Sequence, residues 1–255
     1  TTALVAVGTT GALAERGGDG QLNIVYWQAP STLNPYLSGG TKDVESASLI
    51  VEPLAKYDEN GNMVPALVDE IPTVENGGVS KDLKTITWKI SAGLKWSDGS
   101  PVKASDGVFT WKYCTDPAGG CAQLSQFADV ENMEALDDQT LKITFSKAKP
   151  FPYGPLVGGQ SPLIQEAQFK DCMGAKAPEC TAQNFGPIGT GPFVVTEFKA
   201  NDVIQYKANE NYRDPAKPAF ATVLFKGGGD AASAARAVLE TGEFDYAWNM
   251  QIEPE

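Results

Sequence analysis

The stretch from Trp88 to Trp111 constrains this chain more than any other. It leaves an alternating strand, Thr85 to Ile90, turns through Trp96-Ser97-Asp98-Gly99, passes Pro101 and enters a helix carrying Val108, Phe109 and Trp111. Asp-Gly supplies the positive φ of a tight turn, and Pro101 stiffens the exit. Ser105 or Asp106 can then cap the helix by accepting a hydrogen bond from a first-turn amide. Strand, turn and amphipathic helix in immediate succession define a corner of an α/β unit, and no residue here is one that chemistry requires.

Composition removes whole classes of function. The 255 residues, 42% of them hydrophobic, are enough for one large or two ordinary domains with buried cores. A net charge of −12 repels phosphate backbones and anionic lipid heads, so nucleic acid is not an expected partner. Histidine is absent, which removes Ser-His-Asp and Cys-His nucleophiles, imidazole-based zinc sites and the commonest general base. An enzyme built on this chain would run on carboxylates, Lys or Tyr. The adjacent Asp137 and Asp138 sit between Val130–Leu136 and Leu141–Phe145, where they read as a hairpin turn rather than a catalytic dyad. No cofactor is implied.

The four cysteines fall as two neighbouring pairs, Cys114 with Cys121 and Cys172 with Cys180, each around a polar loop containing Gly and Pro. Four cysteines allow three connectivities, and the local one is expected, placing the chain in an oxidising compartment. Loops this short gain only about 2–3 kcal/mol from closure, so the bridges pin loops and do not replace a core. A zinc site is the rival reading, although its paired ligands usually lie closer together; free thiols in a cytosolic protein are the other. Residues 1–14 carry no charge and end in Ala12-Leu13-Ala14, a pattern that signal peptidase cuts after. They read as the tail of a secretory signal, or as a linker or first strand. No later stretch is apolar for long enough to cross a bilayer.

Along the chain, Gln21–Gln28 alternates as a strand, Thr32-Leu33-Asn34-Pro35 and Ser38-Gly39-Gly40-Thr41 form a loop, and a helix is expected from Asp43 to Leu54 with Val44, Ala47, Ser48 and Val51 on one side. Phe151 to Pro162 has too many prolines and glycines for a regular element and is where the chain should cross between domains. Gly189-Thr190-Gly191-Pro192-Phe193 lacks the Gly-Lys-Ser/Thr of a phosphate loop and opens a hairpin, Phe193–Phe198 with Val203–Tyr206. A strand at Thr222–Phe225, the joint Gly227-Gly228-Gly229-Asp230 and a helix at Ala231–Glu240 follow.

Several of these segments together resemble the extracytoplasmic solute-binding proteins of ABC importers, in the large oligopeptide- and dipeptide-binding family (family 5). The segments are the Trp96 turn and its helix, Thr32-Leu33-Asn34-Pro35, Glu52-Pro53-Leu54, Gly189 to Phe193, Asn209-Glu210-Asn211-Tyr212-Arg213-Asp214, and Gly242-Glu243-Phe244-Asp245. The resemblance implies an α/β, periplasmic binding protein-like fold of the type II, large three-domain class, in which domain I has a mixed sheet and is interrupted by domain II. The expected parts are 1–20 as signal remnant or linker, 21–51 as the first part of domain I, 52–164 as inserted domain II, and 165–255 as the second, incomplete part of domain I, with the third domain missing. It also implies a non-enzymatic binder of di- or oligopeptides that works with a membrane permease, is periplasmic or otherwise extracytoplasmic, and meets the membrane only through that permease or a lipid anchor. The ligand residues carried over by motif position are Trp27, Gln28, Ser38, Gly39, Gly40, Thr41, Gln160, Ser161, Trp248, Asn249 and Met250. Within the family the alternatives are oligosaccharide, opine or metal chelate. Outside it stand a secreted carboxylate-based hydrolase and a receptor or chaperone without transport.

Overall fold

β1 (Gln21–Tyr26) lies inside a five-stranded sheet, and its sequence shows why. Leu22, Ile24 and Tyr26 pack into one apolar cluster while Val25 packs into another on the opposite face, so both faces of the strand are covered. A computed structural model of the chain describes residues 15–251. In chain order it contains β1, α1 (Thr41–Ala47), β2 (Ala55–Tyr57), β3 (Met63–Pro65), β4 (Thr85–Lys89), α2 (Ala104–Thr115), β5 (Val130–Ala135), β6 (Thr140–Phe145), α3 (Glu166–Phe169), α4 (Thr181–Phe185), β7 (Phe193–Lys199), β8 (Val203–Ala208), β9 (Thr222–Gly227), α5 (Ala231–Leu239) and β10 (Tyr246–Trp248). The large sheet has the order β10-β1-β9-β8-β7, with β1 parallel to β9 and β10 and the β7–β8–β9 meander antiparallel. α5 crosses from β9 to β10, capped by Asp230, whose carboxylate accepts from the Ser233 amide at 2.7 Å. Its Ala234, Ala237 and Val238 pack with Val25, Phe244 and Ala247.

The second lobe is an antiparallel sheet, β4-β6-β5, with α2 across it. Ile86, Trp88, Leu141, Ile143 and Phe145 alternate inward, as a half-covered strand requires. Gly107 stands where α2 meets the sheet, since a Cβ there would lie 2.6 Å from Leu141 Cδ2. The expected hairpin is present: Asp137 accepts from the Gln139 and Thr140 amides, and Asp138 pairs with Lys103 at 3.2 Å. Both cysteine pairs are disulfides, Cys114–Cys121 and Cys172–Cys180.

Four expectations need correction. The first helix ends at Ala47 rather than Leu54, because Pro53 disfavours helical backbone before it and the Ile50 carbonyl is taken by the Gly191 amide at 2.7 Å. α2 starts at Ala104, with Asp106 inside its first turn and not at its cap. There the Asp106 carboxylate accepts from the Lys103 and Glu166 amides and from the Trp96 indole, tying turn, helix and α3 together. Burial raises its pKa in spite of these donors. The second lobe also runs past residue 164, since Phe169, Cys172 and Ala177 lie in its core. Finally, residues 15–20 are part of the first lobe and not a linker: Arg16 donates to the carbonyls of Asn209, Glu210, Tyr212, Asp214 and Lys217 at 2.7–2.9 Å. The Ala12-Leu13-Ala14 pattern lies outside the described residues.

The motifs that are far apart in sequence meet at the seam between the lobes. Glu52 makes a two-pronged ion pair with Arg213 at 2.6 and 2.9 Å and also accepts from Thr190. Gly189 lies so close to Ile50 that a Cβ would sit 1.9 Å from its carbonyl oxygen. The Gly189 carbonyl accepts from Ser97 of the tight turn at 2.9 Å, and Asn211 donates to the Ser97 carbonyl at 3.1 Å. Arg213→Ala strands the buried Glu52 carboxylate and is expected to lower the unfolding free energy by about 3 kcal/mol in urea denaturation. Glu52→Gln combined with Arg213→Met should recover most of that loss. A single-variant loss below about 1 kcal/mol would place the pair among ion pairs of little consequence.

Candidate functional site

The register of the parallel strands brings three chain segments out at one place. Tyr26 is the partner of Gly227 in β9 and of Trp248 in β10, so Trp27-Gln28, Gly228-Gly229 and Asn249-Met250 all leave from the carboxyl ends of adjacent strands. In open α/β sheets this edge is where a crevice forms, because loops diverge there and helix starts gather. Gly227 permits the crossing of the chain after β1, since a Cβ on it would lie 2.0 Å from the Ala29 Cα. Gly228 and Gly229 have φ of +112° and +95°, and the Gly228 amide donates to the Tyr26 carbonyl at 3.1 Å.

Aromatic packing floors this edge. Trp248 stacks on Tyr26, with ring centres 5.2 Å apart and planes 16° from parallel, and Tyr26 in turn contacts Phe225. The Tyr26 hydroxyl donates to Glu45 of α1, and burial followed by that carboxylate holds its pKa far above the usual phenol. Trp27 is partly buried, with an indole N–H that is buried and has no acceptor among the described residues. Gln28, Asn249 and Met250 are exposed.

The loop ahead of α1 is built around Asp43. Its carboxylate accepts from the Ser31 amide at 2.6 Å, the Ser38 hydroxyl at 2.7 Å and Lys42 Nζ at 3.1 Å. Burial alone would raise the Asp43 pKa, but the donors from Ser38, Ser31 and Lys42 outweigh it and the carboxyl stays below its usual range. Ser38 therefore points inward, and its oxygen accepts from the Gly40 amide at 3.1 Å. The Gly40 carbonyl accepts from the Asp43 and Val44 amides, whereas the Gly39 backbone joins no hydrogen bond among the described residues. Thr41, the first residue of α1, is exposed.

The remaining expected residues divide. Gln160 is exposed, accepts from Gln126 at 3.2 Å, and follows Gly159, which approaches Val44 of α1. Ser161 is fully buried, its hydroxyl accepting from the Leu156 amide at 2.9 Å, so it closes a turn of the crossing and has no surface to offer a ligand. Sequence reasoning missed Asp43 as the organiser of the loop, Glu45 as the partner of Tyr26, and the Gly228-Gly229 exit. Only the last had a visible signal, the glycine run itself.

A mixed sheet whose parallel strand ends open into loops, interrupted by an antiparallel lobe, is the architecture of the type II periplasmic binding proteins. The profile described as "Bacterial extracellular solute-binding proteins, family 5 Middle" matches residues 62–255, and the chain belongs to this family. It is 26% identical over 216 residues to the dipeptide-binding protein DppE of Bacillus subtilis, covering 79% of this chain and 38% of that protein. It is 30% identical over 223 residues to the nickel-binding periplasmic protein of Escherichia coli K12, covering 86% of this chain and 39% of that protein. The fold is shared with the oligopeptide-binding protein AppA of B. subtilis, solved with a nonapeptide, at a TM-score of 0.77 and 24% identity over 90% of this chain and 44% of that one. The chain thus spans less than half the length of these relatives.

The loop should respond to acid with a definite sign. Because the folded pKa of Asp43 lies below its ordinary 3.8, its contribution is complete above that value and is lost as pH falls through the lower folded one. Asp43→Asn is expected to melt lower than the unaltered protein at neutral pH, with the difference shrinking as pH drops below about 4. A difference independent of pH would show that the carboxylate charge does not hold the loop.

Proposed function

We propose that this chain is the part of an extracytoplasmic solute-binding protein that receives peptides and presents them to the permease of an ABC importer. The observation that carries the reading is the shared exit of Trp27-Gln28, Gly228-Gly229 and Asn249-Met250 from aligned strand ends beside a loop held in place by Asp43. Such an edge presents backbone groups and an aromatic floor. Both suit a ligand whose main chain is recognised by hydrogen bonds while its side chains vary. The Gly39 backbone and the Trp27 indole offer groups with no partner among the described residues. Leaving the buried Trp27 donor unsatisfied costs about 1–3 kcal/mol, which a peptide carbonyl could recover, whereas the exposed Gly39 backbone is open to solvent or ligand. Ser38 serves from behind, by setting the loop, and Gln160 lines the approach from the second lobe.

The relationship to DppE and the likeness to AppA support peptides as the solute class. In this reading the family's binding role replaces catalysis, and closure of the family's third domain on the first lobe, with the solute between them, is the signal to the permease. Contact with the membrane runs through that permease or a lipid anchor. The relationship to a nickel-binding protein supports a second reading, a metal chelate. With no histidine in the sequence, a metal would have to arrive already chelated.

Native mass spectrometry of the protein purified from its source is expected to show a heterogeneous added mass in the range of short peptides, released on denaturation. One homogeneous adduct containing metal would favour the chelate. Trp248→Ala should weaken binding of the retained class about thirtyfold, as removal of a central aromatic anchor does, and Gly40→Val should weaken it by distorting the loop. Unchanged affinity in both variants would remove the strand-end site.

A further inference from the structure

The loop from Thr32 to Ser38 belongs to the first lobe by sequence but draws much of its support from the second. The Leu33 amide and the Thr32 hydroxyl donate to the Asn184 carbonyl at 2.9 and 3.3 Å, and Asn34 Nδ2 donates to Asn184 Oδ1 at 2.9 Å. The Ala122 amide donates to the Tyr36 carbonyl at 2.8 Å. Gln123 Nε2 reaches the carbonyls of Pro35 and Ser38 at 3.3 and 3.2 Å. Gln123 and Asn184 are 4% and 3% exposed, so their amide groups are committed to these partners and not to water.

Both residues follow directly on a disulfide. Cys114–Cys121 closes the segment that ends next to Ala122 and Gln123, and Asn34 also donates to the hydroxyl of Tyr113, beside Cys114. Cys172–Cys180 closes the segment that leads into α4, where the Asn184 amide donates to the Cys180 carbonyl at 2.9 Å and Asn184 Nδ2 to the Ala177 carbonyl at 2.8 Å. The two closed segments touch, since a Cβ on Gly174 would lie 3.1 Å from Asp116 Oδ2. Between the cysteines the sequences are Thr115-Asp116-Pro117-Ala118-Gly119-Gly120 and Met173-Gly174-Ala175-Lys176-Ala177-Pro178-Glu179, with few large apolar side chains to fix them. A covalent bridge is therefore what gives each positioning side chain a defined place.

We propose that Gln123 and Asn184 are positioning residues for the ligand loop, and that each disulfide acts on solute binding by holding one of them. The proposal rests on the reading of residues 38–41 as part of the ligand site. A loop already ordered before the solute arrives need not be ordered by it, so affinity falls when the supports are lost even though the lobes stay folded.

Residue-resolved hydrogen exchange and thermal melting on the full chain, with tri-alanine as the ligand probe, test this. Gln123→Met keeps the buried volume and removes the donor. It is expected to speed exchange of the Tyr36 and Leu37 amides at least about tenfold while leaving β6 amides unchanged, with the melting temperature lowered by only a few degrees. Asn184→Leu removes the acceptor that holds Asn34 and should act the same way on the Tyr36 amide, which Asn34 Oδ1 receives at 3.0 Å. Cys114→Ala with Cys121→Ser should reproduce the loop-exchange pattern of the Gln123 variant, and Cys172→Ala with Cys180→Ser that of the Asn184 variant, each with the lower melting temperature that loss of a bridge brings. Tri-alanine affinity should fall in parallel with loop exchange across the series. Unchanged loop exchange in Gln123→Met and Asn184→Leu, or acceleration spread evenly over the second lobe, would overturn the proposal. Failure of tri-alanine to bind the unaltered protein counts against the peptide reading alone, because exchange at Tyr36 and Leu37 still decides the positioning.

Discussion

The structure depends on the approach of Gly189 and Gly191 to Ile50. Ideal Cβ atoms at the two glycines would sit 1.9 and 2.6 Å from the Ile50 carbonyl oxygen, a distance no side chain could share, and that same oxygen accepts the Gly191 amide. The contact forces the segment before β7 against the end of the first helical stretch. This brings Thr190 and Arg213 within reach of Glu52 at the point where the chain leaves for the second lobe. A carboxylate this buried is tolerable only with a partner of full opposite charge and matched geometry, and the forked guanidinium supplies both. Arg213 is itself held by a loop whose carbonyls converge on Arg16. Removing that convergence would free the segment that presents it.

From the seam the consequences run to both lobes. The Ser97 amide and carbonyl are fixed by Gly189 and Asn211, which sets the turn that delivers Trp96 to Asp106 and so orients α2. On the other side, β1 is held between β9 and β10, and its exit passes over Gly227 into the loop gathered by Asp43. The strand-end edge is thus supported from below by the sheet and from the side by the second lobe. A ligand surface made of loops can be stiff when the loops end on buried polar groups that have nowhere else to find partners.

Much of this was legible in the sequence wherever the cause was local. The tight turn at Asp98-Gly99, the hairpin at Asp137, the β7–β8 pair and the Asp230 cap each depend on residues within a few positions, and each stands where its chemistry placed it. What escaped was set by partners far along the chain. Ser161 looks like a polar loop residue until its hydroxyl is seen to receive the Leu156 amide inside the crossing. The second lobe runs past residue 164 because Phe169 and Ala177 pack into its core, which no local pattern announces. Asp43 reads as an ordinary first-turn acid, yet its donors come from Ser31 and Ser38 across a loop.

The division between these two kinds of residue bears on specificity. Four of the six segments that mark the family, Glu52-Pro53-Leu54, the Trp96 turn, Gly189 to Phe193 and Asn209 to Asp214, meet at the seam through Glu52, Ser97, Gly189, Asn211 and Arg213. These four fix how the lobes join, whereas Thr32 to Pro35 runs into the ligand loop and Gly242 to Asp245 leads into β10. In the proposed reading, discrimination between solutes falls to the short exits after β1, β9 and β10, which carry Trp27, Gln28, Asn249 and Met250. In this protein those exits combine aromatic surface with neutral polar groups and bring no charged side chain of their own before Asp230 and Glu253. A surface of that kind favours a ligand recognised through amides and apolar contact over one held by charge.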